Sequence, residues 1–161
     1  MGLRERPRHV FAAVDLERDA LGTALERAAY TWAEPACLSW LGVTQYLSTD
    51  AISATLTGVA SSCAPGSEIV LTYVLTEPYL DDVGLLCLER NRALAAAGGE
   101  DWRTFLAPED AADLVETSGL RVRENLLRDD LHRRYFTGRT DGLTPYTLLG
   151  CLSAVVPDRH G

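Results

Sequence analysis

Ser39-Trp40-Leu41-Gly42-Val43-Thr44-Gln45-Tyr46-Leu47-Ser48 decides how this chain is read. An apolar run, Ala36 to Leu41, stops at a glycine, and a polar-capped amphipathic segment starts a few residues later. That is the pattern of a strand ending at a tight turn and delivering the chain into a helix. Ser48 is placed to cap that helix and Asp50 to sit in its positive first turn. Ile52, Leu56, Val59, Ala60 and Cys63 then recur at helical spacing until Pro65-Gly66 ends the periodicity.

Outward from this unit the alternation repeats. His9 to Val14 reads as a strand ending at Asp15, followed by a helix over roughly residues 16–29 with Leu21, Ala24, Leu25 and Ala28 on one face. Glu68 to Leu75 is a nearly continuous apolar run, as expected for a strand covered on both faces. Tyr79 to Ala97 reads as a helix stopped by Gly98-Gly99, and a further helix starts at Pro108 and stops at Gly119. Leu120 to Leu127 alternates apolar with charged residues, which predicts an edge strand. Arg128 to Tyr135 reads as a short helix and Leu148 to Val156 as a final strand. Strands alternating with helices predict an α/β layer fold with mostly parallel strands and about five of them.

Composition sets the outer bounds. The chain has 161 residues, enough for one core, with 47% hydrophobic and 24% charged residues. A net charge of −8 would repel nucleic-acid phosphates. Arg4, Arg6 and Arg8 beside Glu5 read as a solvated terminus. The four cysteines, Cys37, Cys63, Cys87 and Cys151, are scattered among apolar neighbours, with no CxxC pair and no Cys/His cluster. Buried free thiols in a reducing compartment are the expectation, and no zinc site. No apolar run reaches the roughly 20 residues that span a bilayer. The expectation is a cytoplasmic protein without a membrane or nucleic-acid partner.

The Trp-Leu-Gly-Val-Thr turn at 40–44 resembles the corresponding strand-to-helix turn of the leucine carboxyl methyltransferase-like group of S-adenosylmethionine-dependent methyltransferases. Pro65-Gly66-Ser67-Glu68, Trp102-Arg103-Thr104-Phe105 and Arg134-Tyr135-Phe136 with Gly138-Arg139 and Asp141-Gly142 extend the likeness in order and spacing. The resemblance implies a Rossmann-like class I methyltransferase sheet, with S-adenosylmethionine as cofactor and methyl transfer to an oxygen of an unidentified small-molecule or carboxylate acceptor. It implies cofactor contacts at Asp15, whose carboxylate would accept from the adenine amine, at Leu16 and at Gly42. Alternatively, Asp15 caps the helix that follows, and Gly42 serves only helix–strand packing. The group often has a glutamate before this glycine, where this chain has Leu41. Arg134, Tyr135 and Arg139 are read as a tyrosine packed on the sheet beside solvated arginines, and His132 as part of a solvated helix.

The resemblance also exposes what is not in these residues. The glycine-rich turn after the group's first strand, and the acidic residue ending its second, have no counterpart. The chain is therefore expected to be one domain, residues 1–161, corresponding to the C-terminal part of a methyltransferase domain truncated at its N-terminal side. Loss of two strands would leave Ala36–Leu41 with an unpaired edge. Either His9–Val14 moves in beside it or another chain supplies the pairing, for example in a homodimer. A non-catalytic remnant acting as a dimerising module is the rival reading.

Overall fold

A computed structural model describes residues 10–158. Four strands form one sheet: β1 (Cys37–Trp40), β2 (Glu68–Val74), β3 (Arg121–Leu126) and β4 (Leu149–Val155), in the order β1-β2-β4-β3. β1 and β2 are parallel, with Cys37 opposite Glu68 and Trp40 opposite Leu71. β4 runs antiparallel to both β2 and β3 and lies between them. β1, β2 and β3 therefore all point the same way, and their C-terminal ends share one edge of the sheet.

The helices are α1 (Leu21–Arg27), α2 (Thr49–Ser62), α3 (Asp82–Ala97), α4 (Pro108–Thr117) and the single turn α5 (Arg128–Leu131). Their starts follow local chemistry. The Ser48 hydroxyl accepts from the Ala51 amide at 3.2 Å and caps α2. Asp81 accepts from the Gly84 amide at 2.7 Å and caps α3; its carboxyl is held below the usual value by that bond first, then by Arg128. Pro108 opens α4 with Glu109 and Asp110 in the first turn.

The core lies mainly on one face of the sheet. Ile69, Leu71 and Tyr73 of β2 and Leu152 and Ala154 of β4 pack with Ile52, Leu56 and Val59 of α2 and Ala111 and Val115 of α4. A smaller cluster of Val74, Leu88 and Leu148 holds α3 against the other face. Val70 and Thr72 on that second face are only half-buried, so β2 is not covered on both faces along its length. An apolar run cannot by itself report how far a helix extends over the second face.

Other expectations meet a different outcome. No strand forms over residues 10–14; Val10 and Phe11 are exposed, Phe11 at 98%. His9, at the start of that run, the Arg4–Arg8 tip and His160 lie outside the described residues. The sheet has four strands rather than five, and β1 has no partner on its outer edge among the described residues. The first helix is confined to Leu21–Arg27, and its N-cap, Ala20, has no side-chain bond. Tyr79 belongs to a 3-10 turn, Glu77–Tyr79, ahead of α3. β3 is an edge strand, as its alternation predicts. After α5 a π-helical turn, His132–Phe136, leaves Tyr135 58% exposed instead of packed on the sheet. Arg134 is bidentate with Glu124, and Arg139 pairs with Asp141. Cys63 is buried and Cys87 and Cys151 half-buried, but Cys37 on the free edge is exposed. Among the described residues no group of acidic, histidine and cysteine side chains could hold a metal ion, and no helix is long and apolar enough to cross a membrane.

One contact locks β2 to β4. Tyr73 stands directly opposite Gly150, and its ring lies where a side chain at 150 would be: an ideal Cβ there falls 2.2 Å from Tyr73 Cζ. The hydroxyl donates to Asn125 Oδ1 of β3 at 2.7 Å, and Asn125 Nδ2 donates to the Pro108 carbonyl at 2.8 Å. This chain of contacts ties three strands to the start of α4. Gly150→Ala must expel the ring and break that network, so urea unfolding is expected to show a loss of at least about 2 kcal/mol, at the upper part of the overpacking range. A loss below about 0.5 kcal/mol, the scale of a neutral surface change, would contradict this packing.

Burial also pushes the Tyr73 hydroxyl from its usual 10 up to about 12. Below the unfolded value both states keep the proton; above it the unfolded chain ionises first, so stability falls as pH rises from 10 towards 12. That added alkaline slope is expected in the wild-type protein and to disappear in Tyr73→Phe, as read by unfolding at several pH values.

Candidate functional site

The C-terminal ends of parallel strands are where open α/β sheets leave room for ligands. Here β1 ends at Trp40, and the chain turns through Gly42 at φ +69°, a left-handed conformation that favours glycine. Three bonds fix the turn. The Gly42 amide donates to Thr72 Oγ1 at 2.8 Å, Thr44 Oγ1 donates to the Thr72 carbonyl at 2.8 Å, and Gln45 Nε2 donates to the Gly42 carbonyl at 2.9 Å. Thr72 on β2 thus holds the β1 turn from both its hydroxyl and its backbone. No atom lies within 4 Å of the place a Gly42 Cβ would occupy, so the glycine faces open space. Leu41 stands 54% exposed beside it.

A crevice of about 570 Å³ opens at this turn, lined by Gly42, Val43, Tyr46, Gly99, Asp101 and Arg103. Its far wall is the segment between α3 and α4, which is stitched to the turn. The Arg103 amide donates to the Gln45 carbonyl at 2.6 Å, and Thr104 Oγ1 to the Leu47 carbonyl at 2.5 Å. Further along, Leu106 N donates to the Val74 carbonyl at 2.9 Å. Gln45 is buried, and its Oε1 is an acceptor with no partner. Such an oxygen calls for a donor from water or a ligand.

The Asp15-Leu16 pair sits in a turn ahead of α1. Asp15 is exposed, its Oδ1 accepting from the Glu17 amide at 3.1 Å and Oδ2 lying 3.6 Å from Arg18. Its carboxylate therefore closes its own turn and does not cap α1. Leu16 is half-buried against the main core cluster. The structure does not bring Asp15 and Gly42 into one cavity: Leu16 lines a separate groove along α1 and α2, and Asp15 lines neither. What joins the two turns is Glu17. Its carboxylate accepts from the Ser48 amide at 2.6 Å and the Ser48 hydroxyl at 3.0 Å, at the N-terminus of α2, and lies 3.5 Å from the Arg103 guanidinium. Those contacts, the Ser48 amide first, hold the Glu17 carboxyl below its usual value.

Glu17, Thr72, Gln45 and Arg103 are the residues that sequence reasoning missed. Thr72 carries a signal in retrospect, as the polar interruption in the apolar run of β2. Arg103 stands in the sequence only within a resembling stretch, Trp102-Arg103-Thr104-Phe105. Glu17 has no local signature, because its partners are distant in sequence.

Two features, in separate places, leave room for contact with a ligand such as a nucleoside-and-amino-acid cofactor. The Asp15 carboxylate is exposed and still able to accept. The open space over Gly42 allows a ligand to approach the backbone. His132, at the junction of α5 and the π turn, is not among the residues that line this crevice.

The leucine carboxyl methyltransferase family profile matches residues 1–60. Over 117 residues the chain is 28% identical to a Bacillus subtilis (strain 168) protein named "Putative S-adenosyl-L-methionine-dependent methyltransferase YktD". That alignment covers 73% of this chain and 38% of the relative, so the chain spans well under half of its length. Among solved structures, a DUF574 family protein from Streptomyces avermitilis MA-4680 superposes with TM-score 0.64 at 14% identity, covering 89% of this chain and 53% of that one. A protein from Thermobifida fusca YX, titled a putative methyltransferase, superposes with TM-score 0.61 at 19% identity, covering 90% and 53%. The four-stranded sheet with its inserted antiparallel strand thus shares the Rossmann-like α/β fold of these solved structures. By profile over residues 1–60 and by sequence, the chain is similar to the leucine carboxyl methyltransferase family and to an S-adenosylmethionine-dependent methyltransferase.

Proposed function

We propose that this chain carries part of an S-adenosylmethionine site and serves methyl transfer to an oxygen of a small-molecule or carboxylate acceptor. The observation that carries the reading is the Gly42 turn, clasped by Thr72 at the C-terminal end of β1 and linked through Arg103 and Glu17 to the Asp15-Leu16 turn. The cofactor supplies a methyl group on a sulfonium with a neutral thioether as leaving group. Little acid–base chemistry is then asked of the protein, and positioning dominates. Asp15 would accept from the adenine amine, Leu16 would pack beside the base, and Gly42 would let the backbone come close. Glu17 and Arg103 hold these two turns in register. The free thiols suit a cytoplasmic setting.

Titration calorimetry tests this. S-adenosylmethionine is expected to bind more tightly than about 1 mM, or about −4 kcal/mol, and to weaken several-fold in Asp15→Ala and in Gly42→Val. No detectable heat, or affinity unchanged in both variants, would overturn the assignment.

The free edge of β1 favours a second reading, in which the chain is a dimerising module without activity of its own. Alternate residues of β1 turn their amide and carbonyl groups outward, with exposed apolar Leu41 at the end of the strand and exposed Val10 and Phe11 elsewhere on the surface. Two copies joined edge to edge would satisfy those groups in a continuous sheet. Size-exclusion chromatography with light scattering is expected to show a dimer at micromolar concentration that is lost on introducing a proline by Ser39→Pro. A clean monomer of the wild-type chain excludes this reading.

A further inference from the structure

Three concavities along the C-terminal edge of the sheet run into one another. The crevice at Gly42 and Tyr46 meets, at Asp101, a second of about 760 Å³ between α3 and Trp102. That one shares Glu77, Leu88 and Arg92 with a third of about 320 Å³ against Pro78 and Phe105. One wall of the resulting trench is a row of rings. Tyr46 meets Trp102 edge-on at 6.4 Å between centroids, and Trp102 meets Phe105 at 6.3 Å with the planes tilted by 50°. The Arg92 guanidinium lies 5.3 Å over the Phe105 ring and ends the row. Tilted rings at this spacing leave flat apolar faces against which another ring can stack.

The ionisable groups narrow the occupant. Glu77, Glu89, Glu100 and Asp101 line the trench against Arg92 and Arg103, so its field is negative and opposes an anion. No carboxylate lies within 4 Å of Arg92 among the described residues, and Phe105 covers one of its faces. Its N–H groups are left to donate to a neutral oxygen, while the carboxylates can accept from a hydroxyl. We infer that the trench is the acceptor site, built for a neutral planar aromatic molecule whose hydroxyl oxygen takes the methyl group as its O–H bond breaks, the proton passing to a lining carboxylate or to water and the sulfonium becoming a thioether. The inference rests on the methyl donor occupying the Gly42 end; the Arg92 end then holds the part of the acceptor furthest from the reacting oxygen.

The test uses 15N-labelled full-length chain and two probes of one shape, 2-naphthol and 2-naphthoate, each with and without S-adenosylmethionine. The Trp102 indole N–H cross-peak is identified by its loss in Trp102→Phe. It is expected to shift saturably with 2-naphthol, at about pH 7 where a phenol is neutral. Affinity for 2-naphthoate is expected to be about tenfold or more weaker, the ionised carboxylate being desolvated in a negative field. Phe105→Leu and Arg92→Ala are expected to weaken 2-naphthol several-fold with the rest of the spectrum retained. An indole peak that does not move, or 2-naphthoate binding as tightly as 2-naphthol, overturns the inference. Shifts with 2-naphthol but none with S-adenosylmethionine would uphold the trench as a ring-binding site and instead remove the methyl-donor reading.

Discussion

Thr72 is the residue on which the candidate site depends. Its hydroxyl takes the Gly42 amide and its carbonyl takes the Thr44 hydroxyl, so β2 dictates where β1 turns. A strand end is otherwise a place where backbone groups have no ladder partner and the chain is free to fray. The clasp ties the turn to the sheet, and the segment Arg103–Leu106 is then added along the same edge by hydrogen bonds to Gln45, Leu47 and Val74. A crevice formed in this way is defined by backbone, which is the part of a protein least free to rearrange.

The sheet that carries the clasp is held by the insertion of β4. An antiparallel strand between β2 and β3 pairs on both sides, and the Tyr73 ring over Gly150 allows one register only. The Tyr73–Asn125–Pro108 relay extends that register to β3 and α4. The opposite side of the molecule contrasts with this. β1 is short, its outer edge is unpaired among the described residues, and the apolar residues 10–14 make no ladder with it. The more fully paired part of the fold is therefore the β2–β4–β3 side, while the candidate crevice and the unpaired edge fall at β1.

Much of this was legible in the sequence wherever local chemistry decides. The Ser48 cap, the Pro108 start, the Gly42 turn and the edge character of β3 all come from residues whose effect is confined to one turn or one strand face. What escaped was set at long range. Val10 to Val14 has the composition of a strand, but a strand exists only by pairing, and composition does not supply a partner. The direction of β4 is likewise invisible to periodicity, which is the same for parallel and antiparallel strands. Gly42 and the Asp15-Leu16 turn are legible in the sequence as candidates, of which only Gly42 lines the crevice. Their link through Glu17, Ser48 and Arg103 is not legible there, because an ion pair between distant segments leaves no pattern in either.

The account stands on ligand contact at two turns that the fold holds together without merging them. Chemical-shift mapping with S-adenosylhomocysteine, the product form of the methyl donor, addresses that point residue by residue. The expected perturbations gather on residues 15–17, 42–46 and 99–103. Perturbations confined to the α2–α4 face, or none at millimolar ligand, would contradict it.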